Sequence, residues 1–420
     1  MRRIRTHRPV RLALAGGAAA LVGLPALATS ASAAPSPALP IISPAPFAAA
    51  GTGQSLPDDI TILGEHVFVT YQNGVGPDGA PSATGVTTSS VVEYDSSTHA
   101  VVRTVLVPGR VDGLTADRFI NRVFATVNED NNSSLYLINP ASSTPTKYTY
   151  NPNPSQKAPG ATTGNGGTDS VSIGADGTVF VAHSNPDPGF PATPATYIVT
   201  LDQATKKANL APLFRVNARA KDVVTGSTVT LALTDPDSNR FIPTAAPVLP
   251  GRLLQVAQAD SQLVIVDSPG ANQGQGGGGG GGNQTLQRLN LTNAENPTLK
   301  PTIDDVTEIT GPGTLYVVDQ KAGTVQTIDT TNFPKGSLVV AQPADSGNTG
   351  QLGILDPKTG VITHFPDTFV SPKGLVFVSD VPDGPPPATP EAPMVVLLPL
   401  AGLAVGGGVV IMRRRPTRLA

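Results

Sequence analysis

The 420-residue chain contains no cysteine. No disulfide framework or thiolate metal site can therefore hold it, and its stability has to come from a buried core. Between its two ends it has almost no helical apolar periodicity, which sets aside a helical bundle. No serine-centred nucleophile elbow, glycine-rich phosphate loop or closely spaced histidine pair occurs, so the common hydrolase, nucleotide and histidine–metal signatures are missing. Basic charge is scarce in the body of the chain. Nine of the 28 basic residues lie in residues 1–33 and 393–420, which hold no acid, leaving 19 bases against 31 acids and a net charge of −12 over residues 34–392. Such a surface repels phosphate backbones, and nucleic acid is not expected as a partner.

The ends carry the apolar length that the middle lacks. Residues 1–33 join a basic head (Arg2, Arg3, Arg5, Arg8, Arg11) to an apolar stretch and to Ala31-Ser32-Ala33, the three-part grammar of a secretory signal, with cleavage expected after Ala33. The Arg2-Arg3 pair is not followed by the apolar pair of the twin-arginine route, so general export is expected. Residues 394–412 form a second apolar segment, about 28 Å long as a helix and so long enough for a bilayer core. Arg413, Arg414, Arg415 and Arg418 follow it, which predicts a basic cytoplasmic tail over 413–420 and a chain displayed outside the membrane. This tail resembles bacterial C-terminal sorting signals, although Ala388-Thr389-Pro390-Glu391-Ala392-Pro393 departs from the leucine-proline-x-threonine-glycine pattern.

Residues 34–54 read as a flexible lead-in and 381–393 as a proline-rich stalk, while the glycine run 276–282 reads as an inserted surface loop. Between them, over 55–380, short runs of Val, Ile, Leu, Phe and Thr are punctuated by Gly, Asn, Asp and Pro, the pattern of an all-β domain. An acid, an aliphatic residue and a hydroxyl recur at Asp59-Ile60-Thr61, Asp112-Gly113-Leu114-Thr115, Asp169-Ser170-Val171-Ser172, Asp222-Val223-Val224-Thr225 and Asp305-Val306-Thr307. Each recurrence precedes a stronger apolar strand, such as Val123-Phe124-Ala125 or, after Asp222, residues 229–233. A third strand ending in Asp or Asn then follows, as at Asp95, Asn139 and Asp202. The first spacings, 53, 57 and 53 residues, predict a β-propeller of about six blades, with five or seven as alternatives. The fourth blade is expected over 222–300, and two thinner ones over 303–333 and 334–367.

These strands, with the runs Gln72-Asn73-Gly74-Val75-Gly76-Pro77-Asp78-Gly79 and Asn128-Glu129-Asp130, make residues 55–380 resemble bacterial extracytoplasmic propellers of the gluconolactonase, streptogramin-lyase and YVTN-repeat type, and especially a set of actinobacterial secreted proteins. The resemblance implies the fold more than any activity.

If the units are radial, the recurrent Asp59, Asp112, Asp169, Asp222 and Asp305 gather on one face of a central channel. Converging carboxylates repel unless a cation or a hydrogen-bond donor joins them, so the expectations are either bound Ca2+ or aspartates that fasten one blade to the next through backbone N–H groups. Asp235, Asp237 and Asn239 place oxygens at alternate positions, as calcium loops begin, although Arg240 stands where an EF-hand needs glycine. His183 ends a second strand and, with Glu129 or Asp169, is the candidate general base. The sequence thus predicts a monomeric, surface-displayed module that binds an extracellular ligand through an acidic channel. The rival is a metal-dependent hydrolase or lyase of the lactonase or streptogramin-lyase kind.

Overall fold

The computed structural model describes residues 39–155, 166–186, 193–269, 285–366 and 369–381. The expected signal segment, the glycine run 276–282, the stalk after residue 381 and the apolar span 394–412 lie outside them. The described residues form strands and turns, and no helix among them is long and apolar enough to cross a membrane.

β1 (Ala45–Ala49) lies inside the stretch expected to be a loose lead-in. Its Phe47 is buried between the rings of Tyr94 and Tyr316, and that burial is the physical reason the segment is ordered. The first unit then runs through β2 (Pro57–Leu63), β3 (His66–Tyr71), β4 (Thr88–Asp95) and β5 (Val101–Pro108), all antiparallel. The second comprises β6 (Val111–Asp117), β7 (Arg122–Val127), β8 (Ser134–Ile138) and β9 (Thr146–Asn151). The third comprises β10 (Thr168–Ile173), β11 (Val179–His183), β12 (Pro194–Asp202) and β13 (Lys207–Arg215), and its outer strand joins β9 by a short parallel ladder.

The fourth unit departs from expectation. β14 (Arg219–Asp222) and β15 (Thr228–Thr230) form an extra hairpin added to its outer edge. Its own strands are β16 (Pro236–Phe241), β17 (Leu253–Ala257), β18 (Gln262–Val266) and β19 (Leu286–Asn290). Asp222 therefore ends a peripheral strand instead of opening an innermost one. Its carboxylate accepts from the backbone N–H of Thr225 at 2.8 Å and pairs with Arg288 of β19.

The two last units are interleaved rather than sequential. After β20 (Thr292–Asn293), β21 (Asp305–Ile309) is the innermost strand of the fifth unit, but β22 (Gly313–Asp319) and β23 (Thr324–Asp329) cross to the sixth. The chain returns for β24 (Ser337–Gln342), β25 (Gln351–Leu355) and β26 (Val361–His364) of the fifth unit. It closes with β27 (Pro372–Ser379), the innermost strand of the sixth, whose outermost strand is β1.

The ladders thus resolve into six four-stranded units in a propeller-like arrangement. The innermost strands touch in the order β2, β6, β10, β16, β21, β27 and back to β2. Each junction holds one apolar cluster. On β7, for example, Val123, Ala125 and Val127 pack toward the first unit while Phe124 packs toward the third. Alternate side chains of a strand point to opposite faces, and both faces here are covered, so the strands read as near-continuous apolar runs. The Asp or Asn that ends each third strand has a local task. Asp95, Asn139, Asp202, Asp329 and Asp356 accept N–H bonds from residues two or three further on, shaping the turns that leave these strands.

Candidate functional site

One extra residue near the start of each innermost strand sets the geometry of the site. In β2, Pro57 faces Tyr71 while Ile60 faces Val69, so three steps on one strand match two on the other. The same bulge lies between Val111 and Leu114, Thr168 and Val171, Pro236 and Asn239, and Pro372 and Leu375. In β21, Asp304 and Asp305 both face Ala341. A bulge re-aims side chains, and here it brings the residue after the first pair into one cavity. Those residues are Asp58, Asp112, Asp169, Asp237, Asp304 and, in the sixth unit, Lys373.

This cavity, about 310 Å³, is lined by nine carboxylates and three cations, Arg110, Arg240 and Lys373. Lys373 lies 2.8 Å from Asp304 and 3.3 Å from Asp58. Arg110 reaches Asp112 at 2.9 Å and Glu129 at 3.0 Å. Arg240 forks onto Asp305, with Nε at 3.2 Å. Asp169, Asp235 and Asp237, on the third and fourth units, have no ion pair among the described residues.

The two aspartates of the next strand position are fasteners. Asp59 accepts from the N–H groups of Ile60 at 2.7 Å and Leu114 at 2.6 Å, tying the first unit to the second. Asp305 accepts from Val306 and Leu375, tying the fifth to the sixth. The recurrent acid is therefore two features in adjacent register: one ring that faces the cavity and a second position that fastens units.

Burial, then the charge of neighbouring carboxylates, holds Asp112, Asp169 and Asp237 well above the usual carboxylate range. For Asp112 the main neighbour is Glu129, for Asp169 it is Asp237, and for Asp237 it is Asp304. Burial raises Asp304 to about 6 despite Lys373, and burial with the charge of Glu129 raises Asp235 to about 6. For Lys373, burial works against the charge, but Asp304, Asp58 and Asp237 outweigh it and push the ammonium up.

Leaving aside Arg110 Nε, which is ion-paired with Asp112, three cavity-lining side chains carry buried polar atoms without a partner among the described residues: Oδ2 of Asp112, Oγ of Ser172 and both amide atoms of Asn239. Asn239 is 5% exposed. Asp235, Asp237 and Asn239 all line this cavity. Among the described residues no three His, Cys, Asp or Glu side chains group as metal ligands. The proposed ring of calcium ligands thus loses Asp222 to the periphery, and three side-chain cations stand where the metal was expected.

His183 is not at the cavity. It is buried beside Tyr197, with Nδ1 donating to the carbonyl of Pro194 at 2.8 Å, and its burial lowers its pKa. Of the three candidate catalytic residues, Glu129 and Asp169 line the cavity and His183 does not. Sequence reading missed Lys373, Arg110, Arg240, Asp58 and Asp304. One signal was available: Lys373-Gly374-Leu375 repeats Asp112-Gly113-Leu114 with the charge reversed. Asn128, in the left-handed region at φ 65°, is structural, its side chain accepting from the N–H of Arg110.

No family model and no curated protein matches the chain. Solved structures do match it at low identity, and they are gluconolactonase-like and other β-propeller proteins. The periplasmic gluconolactonase of Pseudomonas aeruginosa is 12% identical, over 77% of this chain and 88% of that one, with a TM-score of 0.42. A protein from Lactobacillus plantarum is 13% identical over 78% and 89%, with a TM-score of 0.40. The Cps50 (Swd1) β-propeller domain of Myceliophteria thermophila is 12% identical over 74% and 84%, with a TM-score of 0.37.

Proposed function

We propose that the protein is a binding module whose axial cavity takes a small organic cation, a protonated amine, against Asp169, Asp235 and Asp237. One observation carries this reading: the cavity's own cations make their ion pairs with acids of the other units, so Asp169, Asp235 and Asp237 have no ion pair among the described residues and feel Arg110 and Lys373 only at longer range. An uncompensated buried carboxylate either stays protonated or acquires a positive partner. An amine supplies that partner and also satisfies several acceptors through its N–H donors. Nine carboxylates against three cations would repel an anionic ligand.

Titration calorimetry at pH 7.5 with putrescine and cyclohexylamine, against inositol as an uncharged polyol, tests the reading. Both amines are expected to bind and inositol is not. Asp237→Asn is expected to weaken the amines at least about tenfold, since it removes one partner of a buried charge pair. Absence of binding by either amine would sink the proposal.

We infer further that the module is exported and held at the cell surface. The signal-like residues 1–33 and the apolar span 394–412 with its trailing arginines support that address.

A further inference from the structure

Asn239 breaks a rule that the other five units keep. The residue that resumes regular pairing after the bulge is Ile60, Leu114, Val171, Val306 or Leu375 elsewhere, each packed into an apolar cluster between units. In β16 that position is Asn239, 95% buried against the cavity, with neither its amide nitrogen nor its amide oxygen engaged among the described residues. Its ladder partner is Gln255. Gln255 cannot serve it, because its own amide donates to the carbonyls of Asp237 and Ser238 and accepts from Thr196 Oγ1 at 2.8 Å. A buried primary amide with no partner costs free energy that a leucine would not. Such a group is explained when something in the cavity both donates to it and accepts from it, as a hydroxyl does.

Resting on the amine reading above, we propose that Asn239 is the specificity-determining residue of the cavity and that the ligand is an amino alcohol, of which amino sugars are one class. The ammonium group lies against Asp237 and its neighbours, and an adjacent hydroxyl is read by the Asn239 amide. Asp237 and Asn239 are two positions apart on one strand, about 7 Å at most between their backbones. A single small ring carrying vicinal amine and hydroxyl groups spans that distance. Ser170 Oγ, donating to the Asp237 carbonyl at 2.7 Å, and the Gln255 amide hold this part of β16 in place, so the two reading groups are preorganised.

The test uses the whole protein and two probes that differ by one hydroxyl, cyclohexylamine and trans-2-aminocyclohexanol, titrated into wild type and Asn239→Leu. Leucine restores the aliphatic residue of the other units, so the variant is expected to fold with an unchanged or raised melting temperature. Wild type is expected to prefer the amino alcohol by about tenfold or more, and Asn239→Leu to lose that preference while still binding cyclohexylamine. Equal binding of the two probes by wild type, or a preference that survives in Asn239→Leu, overturns this inference and leaves the amine reading standing. Failure of both probes to bind wild type removes the amine reading, and this inference falls with it.

Discussion

Asp237 and Asp222 show how differently one residue type behaves at two places in this molecule. Asp222, at the outer edge, is bonded by Arg288 and Thr225 and is pushed down to about 2, whereas Asp237 is pushed up by burial and by Asp304 and Asp235. A carboxylate whose pKa is raised in the folded state binds a proton more readily there than in the unfolded chain. Its contribution to stability is therefore complete below about pH 4 and lost as pH rises through the folded value. Asp235 and Asp304, both at about 6, place the loss between roughly pH 4 and pH 6, and the raised Asp112, Asp169 and Asp237 act in the same direction. Ligand-free protein is accordingly expected to melt at a higher temperature at pH 5 than at pH 7.5. Asp237→Asn should recover part of the difference at pH 7.5, as read by denaturant titration. A melting temperature that rises steadily from pH 5 to pH 7.5 would contradict the cavity electrostatics described above. At this scale sequence reading was half successful. The recurrent aspartates were visible, but the bulge that splits them into cavity-facing and fastening positions is a property of the ladder.

Among the elements, β1 carries the largest difference between expectation and structure. Its sequence, Ala45-Pro46-Phe47-Ala48-Ala49, shows no apolar alternation strong enough to mark a strand. It is ordered because β23 offers it an edge and because Phe47 fills the space between Tyr94 of the first unit and Tyr316 of the sixth. Phe47→Ala is expected to cost about 3 kcal/mol in chemical denaturation, since a buried aromatic ring is lost from a junction that closes the ring of units. Amine affinity should stay the same, because Phe47 does not line the cavity. The hairpin β14–β15 gives the opposite lesson. Asp222-Val223-Val224-Thr225 matches the recurrent motif in composition, yet Pro236–Phe241 takes the innermost place with no aliphatic-hydroxyl signature. Turn chemistry explains the false match, since Asp222 accepts from Thr225 to close a hairpin.

For the whole molecule, closure is made twice. The last strand, β27, is innermost in the sixth unit and β1 is outermost, while β22 and β23 cross from the fifth unit before the chain returns to it. Cooperative loss of both units is the physical consequence, because neither has all its strands in one continuous stretch of chain. The proposed address of this body rests on segments outside the described residues. Expression in a bacterial host followed by fractionation and N-terminal sequencing is expected to find the protein with the membranes, beginning at Ala34. A soluble protein that retains Met1 would remove the export proposal.

The sequence by itself determined the class of the fold, because two-residue alternation, turn residues and a recurrence near 50 residues are local and additive along the chain. It also determined the acidic character of the body, since charge is a count. Tertiary structure alone decided which aspartates share a cavity, that Lys373 completes their ring, that Asp222 stands apart and that Asn239 lacks a partner among the described residues. Those facts depend on register across strands and on residues distant in sequence meeting at one axis, for which spacing along the chain holds no information.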